Sequence, residues 1–198
     1  MIKAIIFDWG NVIKFYDNEK FKKVICKKYK IDEKLFKKVE LKHRLRNDLG
    51  EIDVYEYIEN VCNELDIKKD YYSKLWFSSK FSKMNKQLIK IIEKLREKYK
   101  IFLLSNNNEH TKDSVKSLHK IDHLFDRILF SYEVRIKKPD PMIFKELLKG
   151  TSLKTSECLM VDDRADVVEQ AKKLGMKGIV FKDNKDLIKE MKNLKIKY

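Results

Sequence analysis

The chain has 198 residues, 43% hydrophobic and 11% aromatic, enough for one well-cored domain with an inserted subdomain and too apolar for disorder. Its formal charge of +14 comes from 45 Lys and Arg against 31 Asp and Glu. Only six of the 45 are Arg (44, 46, 96, 127, 135 and 164) and the lysines interleave with acids throughout, so a solvated Lys-rich surface is expected and no nucleic-acid partner. The first element read along the chain is a buried strand, "KAIIFDW", ending at Asp8 and followed by the turn residues Trp9, Gly10 and Asn11. From about residue 16 to 84 there is no strand-like run. Helical stripes take its place: Phe21, Val24, Ile25 and Tyr29; Leu35, Phe36 and Val39; Val54, Ile58, Val61 and Leu65; and a fourth helix around Leu75, Trp76 and Phe77. Another stripe, Leu88, Ile91, Ile92, Leu95 and Tyr99, precedes the strands "KIFLLSN", "RILFS", "ECLMVDD" and "GIVF". Val168, Ala171 and Leu174 mark a helix before the last of these, closed by Gly175.

Strands alternating with helices predict a three-layer α/β/α core around a parallel sheet, with ligands beyond the strand carboxyl ends. The core is expected over residues 1–15 and 85–198, and the four-helix insert over 16–84. No apolar stretch approaches the ~20 residues that span a bilayer, and Asp8 comes too early for a leader peptide, so no membrane association is expected. Three scattered cysteines (Cys26, Cys62 and Cys158) read as reduced packing residues, which favours a cytoplasmic location.

The strand ends hold the chemistry. The first core strand ends at Asp8, the second at Ser105 and Asn106, and the fourth at Asp162 and Asp163; "KKPDP" (137–141) follows the third and brings Lys138. Three carboxylates, a hydroxyl, a turn rich in N–H groups and a lysine around one crevice suit a hard divalent cation with a phosphate.

In this order, "IIFDWGNVI", "FLLSNNN", "KKPDPMIF" and "LMVDDRADVVEQAKKLGM" resemble the four motifs of the haloacid dehalogenase (HAD) superfamily, and the helical insert resembles its small α-helical cap. The resemblance covers essentially the whole chain. It implies a HAD-like Rossmannoid core and a Mg²⁺-dependent phosphatase acting on a small phosphorylated substrate, with no obligate protein partner. Relatives with "GNV" in the first motif include sugar-phosphate phosphatases, among them enzymes acting on α-D-glucose 1-phosphate. Carried onto this sequence, Asp8 is the nucleophile that forms an aspartyl-phosphate. Mg²⁺ is held by Asp8, the Gly10 carbonyl and Asp163, with Asp162 helping directly or through water. Ser105 and the Asn106 N–H grip phosphoryl oxygens, and Lys138 offsets the charge shared by Asp8 and the phosphate.

Two departures stand out. Gly10 occupies the place of the family's second Asp, its general acid; Asp17 reads either as a substitute proton donor or specificity residue or, more plainly, as a hinge turn. Val167 stands where the family often has a polar residue supporting the lysine or the metal, so Asp166 or a water is expected to supply that contact. From the cap, His43, Arg44 and Arg46 are possible specificity contacts against the plainer reading of solvated helix-face charges. Two other functions fit the same fold: a catalytically impaired HAD-fold binding protein, and a metal-free 2-haloacid dehalogenase-type hydrolase. The adjacent pair Asp162 and Asp163 argues against the second.

Overall fold

The computed structural model describes residues 1–197. Five parallel strands form the central sheet: β1 (Ala4–Phe7), β4 (Lys100–Ser105), β5 (Arg127–Phe130), β6 (Cys158–Asp162) and β7 (Lys177–Val180), in the order β5-β4-β1-β6-β7. In β1 and β6 every residue is buried, which is why both read as unbroken apolar runs rather than alternating ones. β1 lies at the centre, Phe7 level with Leu103 of β4 and Val161 of β6, so the residues just beyond these three strands share one edge.

Helices cover both faces. α5 (Lys86–Leu95), α6 (Glu109–Asp113, continued by a π-helical turn) and α10 (Asn184–Asn193) pack on one face, around Phe7, Trp9 and Leu103. α8 (Pro141–Leu148) and α9 (Ala165–Lys173) pack on the other, around Ile6, Met160 and Phe144. The short α7 (Ser131–Val134) leads from β5 towards the Lys138 turn. Side-chain N-caps start most of these helices: Asn85 for α5, Asn108 for α6, Asp140 for α8 and Asp183 for α10.

Four helices lie between β1 and α5 in the chain: α1 (Asn18–Tyr29), α2 (Glu33–Asp48), α3 (Val54–Leu65) and α4 (Lys69–Trp76). They enclose an apolar cluster of their own, including Ile25, Phe36, Val39, Ile58, Val61 and Tyr72. The expectation of no strand between 16 and 84 needs a small correction. Where the chain enters and leaves these helices, β2 (Lys14–Tyr16) and β3 (Ser82–Met84) pair antiparallel, Tyr16 opposite Ser82. Three residues per strand are too few to show alternation in a sequence, and their pairing exists only once the helices between have folded back.

The helical segment is tied to the sheet edge by specific bonds. Asn108 Nδ2 donates to Asn47 Oδ1 (2.5 Å), Ser131 Oγ donates to the Asp48 carbonyl (2.5 Å), and Val54 N donates to Glu109 Oε1 (2.7 Å). Gly50, at φ +67°, passes so close to the Tyr132 carbonyl that a Cβ would meet it at 2.7 Å.

Candidate active site

Asp8, Ser105, Asp162 and Asp163 converge at the carboxyl edge of the sheet, as the strand-end reading requires. Lys138 joins them from the loop between α7 and α8. Its side chain is 3% exposed, and its Nζ donates to Asp8 Oδ1 at 2.7 Å and to Asp162 Oδ2 at 2.6 Å. Burial works against this ammonium, but the two carboxylates outweigh it and hold Lys138 above the ordinary lysine value. Burial acts on Asp8 as well, and with the Asp162 charge it pushes that carboxyl up to about 6 against the pull of Lys138.

Asn106 follows β4 as expected, and its side chain has a role of its own. Its side chain clamps the lysine backbone: Lys138 N donates to Oδ1 (2.7 Å) and Nδ2 donates to the Lys138 carbonyl (2.8 Å). The amide thereby fixes the turn that aims the ammonium. Ser105 is buried, with the Asn107 amide 3.5 Å from its Oγ. Asn107 N in turn donates to Ser131 Oγ (3.0 Å), so the segment after β4 is tied to the bond that Ser131 makes with Asp48.

Asp8, Asp162 and Asp163 each offer an oxygen, and these atoms lie within 4.8 Å of one another. Mg²⁺ prefers hard oxygen donors, and three carboxylates gathered at the sheet edge supply them, so this set suits the ion. The three are not equivalent. Asp162 is fully buried and already bonded at both oxygens, to Lys138 Nζ and to Arg164 N (2.9 Å). Asp163 is only partly buried, its carboxyl raised by that burial, and Asn11 Nδ2 holds it at 3.0 Å. Asn11 stands at φ +54°, a left-handed conformation that asparagine tolerates, and this turns its amide back across the edge. Reading the sequence treated Asn11 as turn chemistry only.

Several expectations are corrected. Asp166 does not reach Lys138; it pairs with Arg164 at the surface, and Asp162 makes the lysine contact instead. Val167 is wholly buried against the α8 face, where a polar side chain would lie in the apolar layer. Asp17 is the N-cap of α1, accepting from Lys20 N at 3.0 Å, so its carboxylate is engaged in capping. His43 is buried and engaged with Glu64 (2.7 Å), while Arg44 pairs with Glu40 and Arg46 with Glu51. At Gly10, φ is not positive and an added Cβ would meet nothing nearer than Asp8 Oδ2 at 3.9 Å. Space for a side chain exists there, and the side chain does not.

Comparison with known proteins identifies the family. Residues 6–181 match the haloacid dehalogenase-like hydrolase family, and the chain belongs to that family. Over 96% of its length it is 26% identical to the D-ribitol-5-phosphate phosphatase of Bacteroides thetaiotaomicron, spanning 97% of that protein. It is 36% identical to the glyceraldehyde 3-phosphate phosphatase of Pyrococcus abyssi over 48% of the chain, which is 41% of that protein. A HAD family enzyme from B. thetaiotaomicron, crystallised with magnesium and inorganic phosphate, superposes with a TM-score of 0.76 at 25% identity, covering 93% of this chain and 96% of that one. L-2-haloacid dehalogenase from Xanthobacter autotrophicus shares the fold at 16% identity and a TM-score of 0.66, covering 100% of this chain and 85% of that one. No helix among the described residues is long and apolar enough to cross a membrane.

Proposed function

We propose that this hydrolase is a Mg²⁺-dependent phosphatase that cleaves a small phosphorylated metabolite, a sugar phosphate by class, through an aspartyl-phosphate on Asp8. One observation carries the reading. A buried carboxylate at the tip of the central strand is held 2.7 Å from a buried ammonium, beside a second and third carboxylate that fit a divalent ion. A nucleophile in that position needs cationic company, because an anionic carboxylate attacking a phosphate dianion is otherwise repelled.

The residues divide the work as follows. Asp8 attacks phosphorus with the oxygen that Lys138 leaves free. Lys138, locked by Asn106 and Asp162, stays in place while charge moves from Asp8 to the phosphoryl oxygens. Ser105 and the Asn106 N–H bind two of those oxygens. Asp8, Asp163 and the Gly10 carbonyl would hold Mg²⁺, with Asp162 contributing through its shared oxygens. When bound, the ion supplies charge neutralisation at the phosphoryl group. Residues 16–84 act as a cap that closes over the leaving group and excludes bulk water. The sugar-phosphate class rests on the relatives, which act on ribitol 5-phosphate and glyceraldehyde 3-phosphate.

The test is turnover of p-nitrophenyl phosphate and of a panel of sugar and polyol phosphates by purified protein, with Mg²⁺ and with EDTA. Mg²⁺-dependent hydrolysis that is lost in Asp8→Asn supports the reading. Metal-independent turnover of a 2-haloacid, or no turnover across the panel, refutes it.

A further inference from the structure

β4 and β5 end level with each other, Ser105 opposite Phe130, so Ser131 emerges beside the segment that follows Ser105. Buried polar side chains gather there: Ser131, Asn108 and Thr111 from the core, and Asn47 from the end of α2. Among them lies the half-buried Asn107, whose amide touches Ser105. A buried polar atom that loses its partner bears the full cost of desolvation, so these contacts hold one another in place.

The donors and acceptors leave one arrangement. Thr111 Oγ1 has a single proton and donates it to Asn107 Oδ1 at 2.6 Å. With its oxygen engaged, the Asn107 amide turns Nδ2 towards Ser105 Oγ, 3.5 Å away. The Ser105 oxygen thereby accepts from Asn107, and its own proton is left for an acceptor in the site. The backbone of Asn107 carries the chain further. Its N–H donates to Ser131 Oγ at 3.0 Å, and the Ser131 proton goes to the Asp48 carbonyl at the end of α2. A parallel bond runs from Asn108 Nδ2 to Asn47 Oδ1, and Asn47 Nδ2 donates to the Ile52 carbonyl at 2.9 Å. Ser105 is thus connected through Asn107 to the turn between α2 and α3, where Gly50 packs on the Tyr132 carbonyl.

We propose that Asn107 is a positioning residue that aims the Ser105 hydroxyl at the phosphoryl group, and that Ser131 makes this aim depend on the docked helical segment. The proposal rests on the phosphatase reading above, in which Ser105 grips a phosphoryl oxygen. Lifting α2 takes away the acceptor of the Ser131 proton. The next acceptor is the Asn107 carbonyl, 3.4 Å away, and a hydroxyl turned to it presents its lone pair less well to Asn107 N. Affinity for phosphate therefore follows the docking of a segment that inorganic phosphate need not touch.

Inorganic phosphate is accordingly the probe, since it carries no leaving group. Its Kd, with Mg²⁺, is measured by titration calorimetry for wild type, Ser105→Ala, Thr111→Val, Thr111→Ser and Gly50→Ala. Thr111→Val and Gly50→Ala are repeated in the Ser105→Ala background, and thermal melts establish that each variant folds. The expected Kd rises about 10-fold in Ser105→Ala and in Thr111→Val, and about 3-fold in Gly50→Ala. Thr111→Ser, which keeps the hydroxyl, should stay within about twofold of wild type. In the Ser105→Ala background the other two substitutions should add less than about twofold, because the group they position is gone. A Thr111→Val Kd at the wild-type level, or a rise that persists undiminished without Ser105, overturns the role of Asn107 and leaves the phosphatase intact. A Gly50→Ala Kd at the wild-type level overturns the dependence on the helical segment. Wild-type affinity in Ser105→Ala overturns the grip and this proposal with it. A wild type that neither binds phosphate nor turns over p-nitrophenyl phosphate and the wider panel overturns the phosphatase reading itself.

Discussion

Replacing Lys138 with Met tests the electrostatic centre of the site directly. The side chain keeps its length and apolar stem but loses an ammonium lying 2.7 Å from Asp8 and 2.6 Å from Asp162. At an effective dielectric of 20, each contact amounts to about 6 kcal/mol of Coulomb attraction, set against the desolvation of three buried charges. Breaking such a buried arrangement by removing one partner costs about 3–5 kcal/mol, because the charges left behind have no compensation. The cost depends on pH with a definite sign. Asp8 already sits above its unfolded value of 3.8. Without the lysine it rises further, so the variant recovers stability as pH falls and its carboxyls take up protons. Urea unfolding in EDTA should therefore show a loss of about 3–5 kcal/mol at pH 7.5 that shrinks markedly by pH 5. Turnover with Mg²⁺ should fall at least about 10²–10³-fold, since Asp8 becomes a protonated, poor nucleophile and the phosphoryl charge loses its counterion. A variant as stable as wild type at pH 7.5, or equally destabilised at both pH values, would refute this account.

Three further outcomes are expected. Asn11→Ala removes the amide that holds Asp163 at 3.0 Å, and should raise the Mg²⁺ concentration for half-maximal activity about 10–100-fold with a smaller effect on saturated kcat. Asp48→Asn should be more stable than wild type at pH 8 and gain less at pH 5. A carboxyl whose folded value is about 7 against an unfolded 3.8 favours the fold when protonated and weighs against it once ionised; urea midpoints at the two pH values decide. Gly50→Ala places a methyl 2.7 Å from the Tyr132 carbonyl at a positive φ, and should cost about 1–3 kcal/mol and raise KM more than it lowers kcat as the α2–α3 turn lifts away; an unchanged KM would contradict the docking role.

The strands of the core were legible because they are buried on both faces. β1 and β6 were read with their ends one or two residues beyond those observed, and every proposed site residue lies where a core strand stops or in the turn bearing Lys138. The helices of the insert were legible by their stripes. Less visible were roles that arise only when distant segments meet. Asn106 was expected as a phosphate ligand through its backbone, and its side chain proves to be a clamp on Lys138, a residue 32 positions away. Ser131 looked like the end of a strand, yet it joins Asn107 to Asp48. Asp48 itself lay in a charged helix tail, "LRND", with no periodicity to separate it from its solvated neighbours. The apolar Val167 was noticed in the sequence, but its compensation by Asp162 depends on a 2.6 Å contact between the end of β6 and the loop that carries Lys138.

The paired strands β2 and β3 have a consequence for the history and folding of the chain. They place residue 16 opposite residue 82, so the core perceives everything between them as a short hairpin connection. Closing a loop becomes only slowly more costly as it lengthens, by about 0.6 kcal/mol per doubling. Segments of very different size could occupy this position at nearly the same entropic cost to the sheet. The helices carry their own apolar cluster, so their stability need not be drawn from the core. Such a joint allows selection to enlarge, trim or exchange the helical insert while the strand ends beneath it stay in register.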